Sequence, residues 1–318
     1  MSRLNLITSC TNSKHNNGHS VLNLAIFSEK YKTPKGLIHA WGEAVNSALS
    51  TKLVVPVEKL YKGGHWSTAM SIYDAQPIEL WVLSAGFGLL KHGDAIVPYQ
   101  ATFATGHKDS IPLFSDKYGK KSFHQEWWGK LNEASPLKKS HPVSLSDLMM
   151  DKSDEYFIIC ASPDYINAIN MDLMKGISYL KDVDRQLIII SSSQTKFSLK
   201  KNLLVSNKSI AEFFNSNMLM LNIKIAQYVI EQFMSMDDGH LGLLAERLRS
   251  TFSVLPKKHT VRGVRRRPEE VTIWISSYIH ANPDGSASRA LRSFRDQGNS
   301  FEEKRFRTLY QAVLLTNR

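Results

Sequence analysis

The sequence predicts an α/β fold: a three-layer arrangement with a parallel sheet between helices over residues 1–205, then a basic all-helical module over 206–318. Three observations carry this expectation. Short apolar runs alternate with helix-spaced apolar residues through the first part of the chain, the pattern of strand–helix–strand units. The runs are continuously apolar rather than alternating, as strands buried on both faces are. From about Asn215 only helical spacing remains, and the excess positive charge collects in the last fifth of the chain.

The elements follow in order. Leu4 to Thr8 (LNLIT) reads as the first strand, and Leu37, Trp41, Val45, Ala48 and Leu49 as one face of a helix. Leu53 to Val57 is a second strand candidate and Trp66 to Ala75 a helix. Ile78 to Leu83, Tyr156 to Ala161 and Leu187 to Ile190 are further strands. Pro163 opens a helical stretch to about Leu180, since proline suits a first helical turn. Trp127 and Trp128 read as core aromatics.

Past Asn215, Leu221, Ile225, Val229 and Phe233 form one stripe, and Leu241, Leu244, Leu248 and Phe252 another. A basic connector, Lys257 to Arg267, leads to three short helices. Their stripes are Val271, Trp274, Ile275 and Tyr278, then Ala287, Ala290, Leu291 and Phe294, then Phe306, Leu309, Tyr310 and Val313. Ser286 is placed to cap the second of these, Gly298 to stop it, and Ser300 with Glu303 reads as a capping box for the third.

Composition excludes several classes. With 318 residues, 42% apolar and 22% charged, the chain has the make-up of a packed globular protein. Cys10 and Cys160 are the only cysteines, so there is no disulfide framework. No apolar run reaches the ~18 residues of a membrane span. The start, MSRLNLITSC, lacks a signal-peptide layout, so the expected compartment is the cytoplasm, with reduced thiols. His15 and His19 lie four apart, but no further ligand completes a metal set, and no cofactor is expected.

Charge points to a partner. Residues 251–318 hold 13 basic and 6 acidic side chains, and so supply +7 of the total +11. A concentrated positive field suits a polyanion. Arg289, Arg292 and Arg295 recur every three residues on the side of a helix away from Leu291 and Phe294. Arg265, Arg266 and Arg267 precede them, and Arg305 and Arg307 follow. In outline this resembles a helical DNA reader, since the arginine fork matches phosphate. The plainer reading is a solvated face paired with Glu269, Glu302 and Glu303.

The candidate site lies at the carboxyl ends of the strands, where small and polar residues recur: Ser9–Lys14, Ser84–Gly88, Ala161–Asp164 and Ser191–Gln194. Open α/β sheets bind ligands at that edge. Phe87, between Gly86 and Gly88, is expected on an exposed turn. With Tyr99 it would stack on a planar base. Asp94 is either a site carboxylate or a turn-forming aspartate. Cys10 reads as a buried small hydrophobe and Tyr61 as packing.

The order LITSCTNSK (6–14), LYKGGHW (60–66) and LSAGFGLLKHGDAIVPYQ (83–100) resembles the YaaA-type superfamily. That group includes a bacterial peroxide-stress protein and a domain that accompanies archaeosine tRNA transglycosylases. The resemblance covers about residues 4–103, and its matching positions are Cys10, Lys14, Tyr61, Gly63, Ser84, Gly88, Leu89, Asp94, Pro98 and Tyr99. It implies a uracil-DNA-glycosylase-like fold with DNA at the carboxyl edge, and a member type that excises modified bases from viral DNA as antiviral defence.

On that footing the expected reaction is hydrolysis of the N-glycosidic bond of a flipped base. Asp94 would stabilise the developing sugar cation, and Lys14 would sit on a phosphate or on the leaving base. Asn12 and Gln194 would read a base edge, with Ser84, Phe87 and Tyr99 around it. A DNA-binding protein without chemistry and a base-exchange enzyme acting on RNA are the alternatives.

Overall fold

The computed structural model describes residues 4–11, 13–15, 22–50, 54–114, 122–192, 201–256 and 263–316. The chain divides into two compact units, Met1–Pro256 and Lys257–Arg318.

The first unit is built on a six-stranded sheet. Its strands are β1 (Leu4–Ser9), β2 (Ile78–Ser84), β3 (Gly88–Lys91), β4 (Tyr156–Cys160), β5 (Leu187–Ser191) and β6 (Leu203–Val205). They lie in the order β6-β5-β4-β1-β2-β3, parallel throughout except for β3, which runs antiparallel to β2. Both faces are covered, so Leu6, Ile7, Leu80, Val82, Ile158, Ile159 and Leu187 to Ile190 are all fully buried. This is why these runs show no polar alternation.

Two features depart from the sequence reading of the strands. Val55–Pro56 makes only a two-residue pairing with Ala95–Ile96 and stands outside the main sheet. The glycine-rich segment after β2 is the turn of a hairpin: Ser84 pairs with Gly88 across Ala85-Gly86-Phe87. Gly88 takes φ +79°, the left-handed conformation that a three-residue hairpin loop requires. Two indoles hold the loop from behind. Trp41 donates to the Gly86 carbonyl at 2.9 Å and Trp127 to the Ala85 carbonyl at 2.8 Å.

The expected boundary at 205 moves to 256. Helices Met218–Met234 and Leu241–Ser253 pack on β4, β5 and β6 and on helix Gly64–Ala75. Their stripes, from Leu221 to Phe252, join the same core as the strands. An apolar helix face covers the nearest open sheet face, and the spacing that creates the face does not say which sheet that is.

The second unit has its own core: Val271, Ile275, Ala290, Leu291, Phe294, Phe306, Tyr310 and Val313. It forms from helices Pro268–Ala281, Ala287–Asp296 and Glu303–Thr316. Ser286 caps the second, accepting from the Arg289 amide. Ser300 does not cap the third, because it pairs with Arg265 in a short parallel bridge. Glu302 caps it instead, its carboxylate accepting from the amides of Lys304 and Arg305 at 2.8 Å each. Among the described residues no helix is long and apolar enough to cross a membrane.

Candidate functional site

The chain begins in the middle of the sheet, builds β2 and β3 on one side, then crosses to β4 on the other. The order therefore reverses between β1 and β4, and the crevice beyond their carboxyl ends is where such sheets bind ligands. Cys10 follows β1 and Tyr165 lies in helix Pro163–Ala168, which follows β4. Cys10 Sγ and Tyr165 Oη meet at 3.1 Å, directly across that reversal.

Lys14 is held beside it. The Cys10 amide donates to the Leu83 carbonyl and so prolongs the edge of the sheet. Ser13 to His15 then runs antiparallel to Leu60–Lys62, with the His15 amide on the Leu60 carbonyl at 2.8 Å and the Lys62 amide on the Ser13 carbonyl at 3.1 Å. This backbone pairing sends the Lys14 side chain inward, where it is only 6% exposed. Its Nζ lies 4.5 Å from the centroid of the Tyr99 ring and has no hydrogen-bond partner among the described residues. Burial lowers the Lys14 pKa, while the neighbouring Cys10 and Asp109 work against that shift.

A chain of hydroxyls runs past the ammonium. Ser84 Oγ accepts from the amides of Gly86 (3.3 Å) and Phe87 (3.0 Å) and sits 2.8 Å from Tyr99 Oη. With both lone pairs engaged, Ser84 donates its proton to Tyr99. Tyr99 Oη is 2.9 Å from Tyr61 Oη. Burial, and then the Cys10 sulfur, push Tyr61, Tyr99 and Tyr165 well above the usual phenol pKa, so all three stay neutral hydroxyls. Tyr61 also lines an open groove of about 660 Å³ shared with His15, Glu58, Lys62, Ser67 and Asp74.

Several residues expected at a base site lie elsewhere. Tyr99 is fully buried, with its ring against Gly86, Phe87, Tyr61 and Lys14, so it offers no free face for stacking. Phe87 is turned inward, 5.3 Å from Tyr99, and lines a small apolar cavity of about 50 Å³ with Trp41 and Trp127. Ser84 is also fully buried and belongs to the hydroxyl chain.

Asp94 is not brought to Lys14. Its Oδ2 accepts from the Lys91 amide at 2.6 Å, and its Oδ1 is 2.8 Å from His141 Nε2. Lys91 pairs with Trp81, three residues back along β2 from Ser84, so this carboxylate serves a turn toward the amino edge. Burial disfavours the His141 cation, but Asp94 and the Pro142 carbonyl outweigh it and raise the pKa. Asn12 and Gln194 lie outside the described residues.

Two residues passed over in the sequence stand near the crevice. Asp109 lies in a loop closed by the Thr102 amide on the Asp109 carbonyl (3.0 Å) and the Ile111 amide on the Thr102 carbonyl (2.9 Å). Its Oδ1 is buried and unpartnered among the described residues. His65, at the start of helix Gly64–Ala75, sits 2.7 Å from Thr8 Oγ1 on β1. Burial lowers its pKa to about 4, so the ring is neutral at physiological pH. The first is an unmarked polar loop residue, and the second lies inside the LYKGGHW segment without being one of its matching positions. Among the described residues no group of three or more His, Cys, Asp or Glu is arranged to hold a metal ion.

In the second unit, Arg265, Arg266, Arg267, Arg289, Arg292, Arg295, Arg305 and Arg307 are all exposed. One pairs as the plainer reading has it, Arg307 with Glu303 at 2.9 Å, while Arg266 and Arg267 pair with Glu270, at 3.7 and 3.9 Å, rather than with Glu269. Arg289 and Arg295 donate to the carbonyls of Asp284 and Phe301, and Arg305 lies over the Phe301 ring. Arg292 and Arg295 border a hollow of about 250 Å³ with Ser288 and Glu303. Among the described residues Arg265, Arg289, Arg292, Arg295 and Arg305 have no ion-pair partner. A search of protein families and of curated proteins matches this sequence to none of them.

Proposed function

We propose that this protein grips DNA through its Lys257–Arg318 unit and hydrolyses the N-glycosidic bond of a modified or damaged nucleotide drawn out of the duplex. The observation that carries this reading is Lys14: a buried ammonium without a hydrogen-bond partner among the described residues, at the edge of the sheet where ligands bind. Such a group lacks an acceptor that a substrate supplies. An open groove lies beside Tyr61, whose ring centre is 5.7 Å from the Lys14 ammonium, and the exposed arginines suit the phosphates of the strand.

In the reaction the bond between C1′ and the base nitrogen breaks, and its electron pair leaves with the base. Lys14 meets the charge that develops on the base, and water adds to the sugar cation at C1′, one of its protons passing to the departed base so that the products are the free base and the sugar hydroxyl. Extrusion is required because a stacked base cannot reach a recessed group.

The test is to incubate the protein with plain DNA and with hypermodified phage DNA, then to measure free base and alkali-labile abasic sites. The expected result is base release from one class of DNA, reduced at least ~100-fold by Lys14→Met. No product on any DNA overturns the reading. Salt-dependent binding without product would favour the second reading, a DNA-binding protein without chemistry. That reading is supported by the exposed arginines on a unit with its own core.

A further inference from the structure

Asp109 and Lys14 share one buried neighbourhood. Thr102, whose amide donates to the Asp109 carbonyl, has its hydroxyl 3.5 Å from Tyr165 Oη. Tyr165 meets Cys10, and Tyr99 of the same cluster carries Lys14 over its ring. The Asp109 carboxylate is near enough to favour the Lys14 cation, yet no ion pair within 4.0 Å joins the two among the described residues. A buried ammonium and a buried carboxylate oxygen thus stand within electrostatic reach of each other, each without a hydrogen-bond partner among the described residues. Left so, both bear a desolvation cost that direct contact would relieve.

We infer that Lys14 and Asp109 bracket the hydrogen-bonding edge of a nucleobase, Lys14 donating to a ring or carbonyl acceptor and Asp109 accepting from the adjacent N–H. This rests on the proposed reaction, and it decides which part of the substrate meets Lys14. The two charges cancel, so an added phosphate is repelled by Asp109 as it is attracted by Lys14. A neutral edge with an acceptor beside a donor satisfies both groups. Lys14 has only donors to give and ionised Asp109 only acceptors, so neither can fill the other's role. Every nucleobase carries such an edge, and it is free to be read once the base has left the duplex. Asp109 is on this account a binding residue, and Lys14 touches the base.

The experiment titrates the full chain with thymidine, deoxycytidine, deoxyadenosine and deoxyguanosine, and separately with inorganic phosphate, followed by saturation-transfer NMR. At least one nucleoside is expected to bind, phosphate is expected not to displace it, and Asp109→Asn and Lys14→Met are each expected to weaken it ~10-fold or more. Asp109→Asn should also gain phosphate binding, because the ammonium is then uncompensated. Thermal melts of both variants establish that they fold.

Three results overturn the inference: no nucleoside bound by the wild type, phosphate competing at wild-type Lys14, or nucleoside binding indifferent to Asp109→Asn. If nucleosides bind as expected while no DNA yields free base, the inference stands and the proposed reaction falls. If base is released but nucleoside binding ignores Asp109→Asn, the reverse holds.

Discussion

The Lys14 ammonium rests 4.5 Å from the centre of the Tyr99 ring, and that ring face offsets part of its cost of leaving water. A cation held this way is marginal for stability. Its burial penalty is set against the faces of two tyrosine rings, Tyr99 and Tyr61, and the fields of Cys10 and Asp109. Lys14→Met is therefore expected to raise stability to urea by ~1 kcal/mol while removing base release. A Lys14 variant that unfolds more easily than wild type would instead mark the residue as a strut.

Asp94→Ala should behave in the opposite way. It leaves the Lys91 amide and the His141 cation without their acceptor, at a cost of about 2 kcal/mol. Base release per folded molecule should be unchanged. Urea melts alongside single-turnover assays separate the two effects, and a loss of turnover with intact stability would return Asp94 to the site.

Two histidines are expected to contribute opposite limbs to the pH dependence of stability. The raised pKa of His141 stabilises fully below the unfolded value near 6.5, and this is lost as pH climbs through the higher folded value. The pKa of His65, lowered to about 4, works the other way: stability declines as pH falls from about 6.5 toward 4. In melts across pH 4 to 9, His141→Gln should flatten the alkaline limb and His65→Gln the acid one.

Gly86→Ala should disturb the site from a distance. A Cβ there would stand 2.6 Å from a Tyr99 ring carbon, too close without moving the ring. The expected cost is ~1–3 kcal/mol, with a changed near-ultraviolet circular dichroism signal from the displaced tyrosines.

Replacing both Arg292 and Arg295 with alanine should weaken binding to duplexes of any sequence and reduce the salt slope by about one for each phosphate no longer neutralised. Both are exposed, so the fold should be intact by far-ultraviolet circular dichroism. Titrations at several salt concentrations measure this, and an unchanged slope would remove the hollow they border from the DNA surface.

Much of the fold was legible in the sequence because its strands are buried on both faces. Leu4 to Thr8, Ile78 to Leu83, Tyr156 to Cys160 and Leu187 to Ile190 all lie in the sheet. The stripes of the last three helices were equally plain, since Val271, Ala290, Phe306 and their neighbours form the second core. Residues 84–91 were harder: an apolar run broken by two glycines fits a hairpin or a strand-to-helix turn, and only the pairing with β2 decides. At the site, Lys14 was visible and its solitude was not, because burial and missing partners are long-range properties. Tyr99 follows Pro98 and reads as free to stack on a base, yet Gly86, Phe87 and Tyr61 enclose it. Asp109 becomes noticeable only once the Thr102–Ile111 loop closes behind it.

The two cores are separate sets of side chains, one centred on the sheet and the other on Val271, Phe294 and Phe306. Mutation can then remodel the arginine-bearing handle, or swap it for another, without loosening the machinery around Lys14. On the proposed reading, selection is free to retune where the protein lands along a genome independently of what it does on arrival.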